Sequence, residues 1–428
     1  MSTGSPRNHH RPSTGEAPFD VDELFFSRTD DRGVILSGNA VFQRVAELPW
    51  DRLLGAPHKI IRHKDMPKGV FHLLWSTIKQ GECIGAYVKN LASDGLHYWV
   101  FAILTPIAGG YMSVRLKPTS PLLRTIEAEY AQLLARERSE GLTPDASAQA
   151  LLERLAELGY PSYRAFMAKA LAAEYEQRCL KMGKPVGDWI DAFRQIDSAI
   201  GEVSAQAKDL SAVFDSIRGI PYNMRILASR LEAAGGPISV ISANYGILSE
   251  EIGGWMRSFA DDSTGAFAEI KTSVEQGLYL QCVAHIQTQM HHQFERERDL
   301  DPRVDVKAEL ARLDGLSARY DAEAQEGMTR VVRKAERFSQ SVKDMKRLIT
   351  GLGATRMMCK IEGARLRNTG DNLSSVINQL DHFQDNIEER LALIDEKNRL
   401  VQRIACTLTS ACTENSAAAA SLQRTAAE

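Results

Sequence analysis

At Pro118 the hydrophobic pattern of this 428-residue chain changes period, and with it the kind of fold the chain can adopt. Before that residue, short alternating or β-branched runs are cut by Gly, Asp and Pro: Gly33-Val34-Ile35-Leu36, Gly85-Ala86-Tyr87-Val88-Lys89-Asn90, Tyr98 to Leu104 and Tyr111 to Leu116. Such runs predict the strands of a small antiparallel sheet. Asp94-Gly95 between two of them predicts a hairpin turn, because that pair tolerates positive φ. Short helices are expected around Ala40 to Val45 and Lys68 to Ile78, which makes residues 19–118 an α+β domain preceded by a flexible arm, 1–18.

After Pro118, Ala, Leu and charged residues dominate. The cap Thr143-Pro144-Asp145 and the breaker Gly159-Tyr160-Pro161 divide a connector, 119–195, into about three helices. Beyond it, apolar residues step by alternating threes and fours: Ile217, Ile220, Met224, Leu227, Leu231, and then Ile238, Ile241, Tyr245, Leu248, Ile252, Trp255, Phe259 across Gly235-Gly236-Pro237. That is a coiled-coil seam on each arm of an antiparallel hairpin, 196–298, with Gly-Gly-Pro supplying the reversal near 235–237. A second hairpin, 303–408, repeats the pattern. Its seams are Met328, Val331, Ala335, Phe338, Val342, Met345, Ile349, Leu352 and Leu373, Val376, Leu380, Phe383, Ile387, on either side of Asn368-Thr369-Gly370-Asp371. Two hairpins in one chain predict a long all-α coiled-coil or four-helix-bundle region formed without a partner chain, ending in a tail, 409–428.

A net charge of -3 removes the electrostatic case for nucleic acid as a partner. Six cysteines without CxxC spacing fit reduced thiols, no stretch reaches the ~20 apolar residues of a membrane span, and residues 1–18 have no secretory h-region, so a cytoplasmic location is expected. No P-loop, kinase motif or nucleophile–base arrangement gives a case for an enzyme. Cys282-x-x-His285 and His291-His292 read as packed or solvated histidines rather than a metal site, and Glu295-Arg296-Glu297-Arg298 reads as a solvated helix end.

One segment carries a more specific signal: Asp30-Asp31-Arg32-Gly33, Ser37-Gly38-Asn39, Pro57-His58-Lys59-Ile60-Ile61-Arg62-His63-Lys64-Asp65-Met66-Pro67, Val88-Lys89-Asn90 and His97-Tyr98-Trp99-Val100. These residues closely resemble the PAS sensor domain of bacterial aerotaxis transducers. The resemblance implies a PAS fold, a bound FAD (FMN, haem or an empty pocket being the alternatives), and cofactor contacts from Asn39, His58, Arg62, His63, Asp65, Trp75 and Asn90. Cys83-Ile84 stands where the family has Pro-Trp, and the family's membrane anchor has no counterpart here.

Ile220 to Ala228 and Ile238 to Ile252 resemble the hairpin tip of methyl-accepting chemotaxis receptors, with Glu232-Ala233-Ala234-Gly235-Gly236 in place of the tip's Glu-Ala-Ala-Arg-Ala-Gly-Glu. That resemblance implies the chemotaxis kinase and coupling protein, or another signalling protein, as partner. The expectation is therefore a flavin-based, aerotaxis-like redox or energy sensor acting on a receptor-like helical bundle, with weak PAS-mediated dimerisation. The rivals are a ligand-free PAS scaffold for self-association and a haem-binding gas sensor.

Overall fold

The computed structural model describes residues 10–217, 219–229, 235–260, 266–298, 300–365 and 370–425. These divide into two compact units, Met1–Ile190 with Glu275–Ala324, and Asp191–Val274 with Gln325–Glu428.

The first unit is built on a five-stranded antiparallel sheet in the order β2-β1-β5-β4-β3, from β1 (Leu24–Thr29), β2 (Ile35–Gly38), β3 (Ile84–Leu91), β4 (His97–Ile107) and β5 (Gly110–Leu116). This is the α+β arrangement expected of a PAS domain. The β3–β4 turn forms at Asp94-Gly95, where Gly95 adopts φ 92° and the Asp94 carboxylate accepts the Leu96 amide at 3.1 Å. Strand β1 has no counterpart among the sequence expectations. Its residues Leu24-Phe25-Phe26-Ser27-Arg28-Thr29 do not alternate in polarity because both faces of the sheet are covered. Between β2 and β3 lie α1 (Ala40–Ala46), the short α2 (Trp50–Leu53), a 3-10 turn (His58–Ile61) and α3 (Lys68–Lys79). The arm is not free throughout: Ala17 donates to the His97 carbonyl at 2.7 Å and Arg11 to Asp94 at 2.7 Å.

The connector folds as α4 (Leu122–Ser139), α5 (Pro144–Glu157) and α6 (Tyr163–Lys181), with Thr143 capping α5 through the Ala146 amide. These helices pack onto the domain rather than lead away from it. Glu137 of α4 accepts the Lys68 amide at 2.6 Å, capping α3, whose preceding Pro67 offers no side-chain cap. Gly69 allows α3 to approach α5 so closely that a Cβ there would lie 2.5 Å from the Ser147–Ala148 backbone. The sheet face opposite α3 meets α6, where Tyr87 donates to buried Glu174 at 2.7 Å. It also meets the end of α10 (Ala266–Phe294) and the start of α11 (Val306–Arg365), where Phe26 packs on Phe294 at 4.9 Å.

The second unit contains α8 (Ile220–Ser229), α9 (Gly235–Ala260), α12 (Gly370–Thr425), most of α7 (Asp188–Ile217) and the remainder of α10 and α11. The seam positions Met224, Ile238, Ile252, Val331, Ala335 and Ile387 are fully or almost fully buried. Four arms close into a ring. Ser242 of α9 bonds the Pro221 carbonyl of α8, and Phe267 of α10 meets Phe338 of α11 at 4.3 Å. Asn398 of α12 donates to the Ala335 carbonyl of α11 at 2.8 Å, and Phe383 of α12 meets Phe214 of α7 at 5.1 Å.

Gly235-Gly236-Pro237, expected to form a reversal, instead opens α9. Residues 230–234 and 366–369 lie outside the described residues, as do the side chains of the expected seam residues Ile217, Leu227, Leu231, Trp255, Phe259 and Leu373. Helix α12 runs through Thr425, so residues 409–425 of the segment read as a tail are helical. Because each arm finds two neighbours in its own chain, the full-length protein is expected to sediment as a monomer at low micromolar concentration. A stable dimer there would contradict the intramolecular bundle.

Candidate functional site

A cavity of about 150 Å³ lies between α3 and one face of the sheet. Strand periodicity decides what reaches it, since alternate residues share a face. From β1 come Ser27 and Thr29, from β3 Val88 and Asn90, from β4 Val100, Ala102 and Leu104, and from β5 Ser113 and Arg115. Helix α3 adds Phe71, Leu74, Trp75 and Ile78. The result is an apolar slot with polar groups confined to one end and to the mouth.

At the polar end Arg115 is only 2% exposed and no carboxylate faces it. One of its nitrogens, Nη2, donates to Ser27 Oγ and lies 2.6 Å from His58 Nε2, while Nη1 has no hydrogen-bond partner, nor has the neighbouring Ser113 Oγ. Since a guanidinium only donates, His58 must accept through Nε2 and is neutral. Burial first, and the Arg115 charge second, push His58 down to about 3, and burial lowers Arg115 to about 10. The Phe42 ring lies under both, stacked on His58 at 5.8 Å and 5.0 Å from the guanidinium.

That arrangement fixes a pH dependence. In the unfolded chain His58 binds its proton near the ordinary histidine value of about 6.5, whereas the folded protein excludes it down to about 3. Stability is therefore complete above about 6.5 and falls as pH drops through that window, by up to roughly 1.4 kcal/mol per unit. Urea midpoints between pH 7 and 5 are expected to fall less steeply in His58→Gln. Equal slopes would contradict the assignment.

The mouth is formed by Arg62 and Trp75. The Arg62 guanidinium lies 3.7 Å over the Phe71 ring, and Trp75, 38% exposed, packs edge-on to Tyr111 at 5.6 Å. Gly33 makes room for Trp75, its added Cβ falling 3.2 Å from the indole. Outside the mouth an open groove of about 790 Å³ shares Arg62, Phe71 and Trp75 with the cavity and adds Arg32, Lys68 and Lys79.

Of the seven residues expected from the sequence, His58, Arg62, Trp75 and Asn90 line the cavity; Asn39, His63 and Asp65 do not. Asn39 is an N-cap and strand tie: its Oδ1 accepts the Phe26 amide at 2.9 Å and the Phe42 amide at 3.2 Å, and its amide donates to the Leu24 carbonyl and Glu297. His63 accepts the Asp65 amide at 3.1 Å, and its backbone donates to the Lys89 carbonyl on β3. It shapes the loop that carries Arg62 to the mouth. Asp65 faces outward, 3.7 Å from Arg138.

Missed were Arg115, Ser27, Ser113 and Thr29. The one legible signal was an arginine in the apolar run Tyr111-Met112-Ser113-Val114-Arg115-Leu116, where a buried charge needs a reason. The Glu295 to Arg298 run is not simply a solvated end. Glu297 accepts the Ala40 amide at 2.7 Å and caps α1, with its carboxyl raised by burial.

Over 138 residues the chain is 34% identical to the aerotaxis receptor of Escherichia coli (strain K12), a match covering 31% of this chain and 27% of that receptor. The match gives the motif resemblance a named relative. The chain contains an aerotaxis-receptor-like PAS domain followed by a long helical region. It spans little more than a quarter of the curated relative's length, 27%. No family model matches the chain. A PAS domain of a Colwellia psychrerythraea protein aligns at 20% identity over 22% of this chain and 86% of that domain, with a TM-score of 0.20, which adds nothing to the fold seen directly. Among the described residues no helix is long and apolar enough to cross a membrane.

Proposed function

We propose that the chain is a flavin-based redox sensor in which the PAS cavity and its outer groove hold FAD. The observation that carries the reading is the buried Arg115, with an unpartnered Nη1 and the unpartnered Ser113 Oγ beside it at the polar end of an otherwise apolar slot. Ser113 and Arg115 would hold the polar edge of a planar ring, Asn90, whose backbone bridges to Arg62, would meet the ligand from the Arg62 side, and Arg62, Arg32, Lys68 and Lys79 would hold the phosphates. A flavin supplies reversible electron uptake, which changes charge at that edge. Haem fits less well. His58 Nε2 is engaged by Arg115 and Ser27, and His63 lies off the cavity wall, leaving neither placed as an axial ligand.

The strands offer a route outward. Ser27 and Thr29 face the cavity while their neighbours Leu24, Phe26 and Arg28 are held from the other side. The Leu24 amide donates to Gln293 at 2.8 Å, Phe26 packs on Phe294, and Arg28 pairs with Glu309 at 2.7 Å. A shift of β1 thus reaches α10 and α11, which also supply residues to the helical bundle. In that second unit Tyr222 and Ile226 of α8, Val240 and Ile247 of α9, and Met357, Met358 and Ile361 of α11 are exposed, apolar side chains that a signalling partner would cover. Anaerobic reduction of the flavin-loaded full chain is expected to change amide hydrogen exchange around residues 293–309. Identical protection in the two redox states would contradict the route.

A further inference from the structure

We propose that the C-terminal end of α10 carries a divalent-metal site, with His291, His292 and Glu295 as ligands, Asp314 as their positioning carboxylate, and zinc as the metal. The three ligand side chains each offer one donor atom, and these atoms lie within 4.8 Å of one another. Helical hydrogen bonding continues through Glu295, whose amide donates to the His291 carbonyl at 2.9 Å. Residues 291 and 295 therefore stay four apart on one face, with 292 three from 295. The imidazoles of His291 and His292 are 5.6 Å apart, nearly perpendicular.

A carboxylate from another helix stands beside the cluster. Asp314 Oδ1 of α11 lies 2.7 Å from His291 Nδ1 but out of line with the ring N–H, so Nδ1 has no hydrogen-bond partner among the described residues. A neutral imidazole has a single proton, and a small turn of the ring that lets Nδ1 donate it to this carboxylate would leave the Nε2 lone pair free to ligate. A carboxylate behind a ligating histidine is the usual outer partner of such sites. Tetrahedral zinc with bonds of about 2.0–2.2 Å needs donors roughly 3.3–3.6 Å apart. Since His292 and Glu295 are exposed, ordinary side-chain rotation closes the remaining gap. Two imidazoles and a carboxylate without thiolate suit zinc, cobalt or nickel and not magnesium or calcium. The metal would brace the C-terminal turn of α10, with Asp314 of α11 behind one of its ligands. It would do so beside Gln293 and Glu297, which hold β1 and α1.

The test is titration of the full-length protein with Zn²⁺ by calorimetry and with Co²⁺ by visible absorption. Expected are one site per chain with a dissociation constant below about 10 μM, and a Co²⁺ spectrum lacking thiolate charge transfer. His292→Ala and Glu295→Gln, both surface changes, should weaken Zn²⁺ binding at least about tenfold with unchanged circular dichroism, and Asp314→Asn by about tenfold or more. Weaker wild-type binding, a thiolate band, or wild-type affinity in His292→Ala and Glu295→Gln would overturn the site.

Discussion

Glu174→Ala is expected to destabilise the first unit by about 3–5 kcal/mol. Glu174 is fully buried and accepts four hydrogen bonds: from Tyr87 Oη at 2.7 Å, the Thr119 amide at 2.5 Å, the Ser120 amide at 2.9 Å and Ser120 Oγ at 2.5 Å. These donors sit on β3 and on the segment following β5, so one carboxylate of α6 joins the sheet to the chain leaving it. Truncation orphans all four donors and leaves a hole in a packed interface, and a buried donor without an acceptor costs about 1–3 kcal/mol. Glu174→Gln keeps the shape but turns an amide toward the donors, so it should fall between. Tryptophan fluorescence reads the right transition, because Trp50, Trp75, Trp99 and Trp189 all lie in the first unit. A loss below about 1 kcal/mol would mean that water replaces the carboxylate easily.

Arg115→Leu is expected to act in the opposite sense on fold and ligand. A cation held away from water with no carboxylate facing it does not stabilise the apo domain, so removing it should leave thermal stability unchanged or slightly raised. Flavin affinity, however, should fall at least about 100-fold, since hydrogen bonds from charged groups contribute about 1.5–3 kcal/mol each and the desolvation is already met in the apo protein. Arg115→Lys keeps charge but not the fork and should lose less. Asn90→Ala, on the same wall, should lower affinity without changing helicity. A strongly destabilised Arg115→Leu that still binds flavin would make the arginine a structural residue.

These two positions also mark how far the sequence could be read. The change of period at Pro118, the Asp94-Gly95 turn and the heptad seams are local signals, and they locate the sheet and the bundle. Strand β1 lacked such a signal because tertiary cover on both faces removed the polarity alternation. In the site, Arg62, His58, Trp75 and Asn90 stood in or near a recognisable motif and reach the cavity, while His63 and Asp65, from the same motif, shape its loop. Asn39 sits where a cap is needed, and its side chain is fully used by backbone partners from β1 and α1. Glu297 reads in the sequence as part of a solvated helix end, and nothing in the sequence sets Glu137 or Glu174 apart. Their roles appear only once distant amides are brought to them, and spacing along one helix cannot reveal that.

The most direct test of the flavin reading is to denature the purified full-length protein and measure what it releases, by absorption and mass spectrometry, after incubation with excess FAD and gel filtration. The cavity and basic groove predict about one FAD per chain, with the characteristic oxidised-flavin spectrum before release. A colourless protein that neither retains flavin nor quenches the fluorescence of added FAD would contradict it.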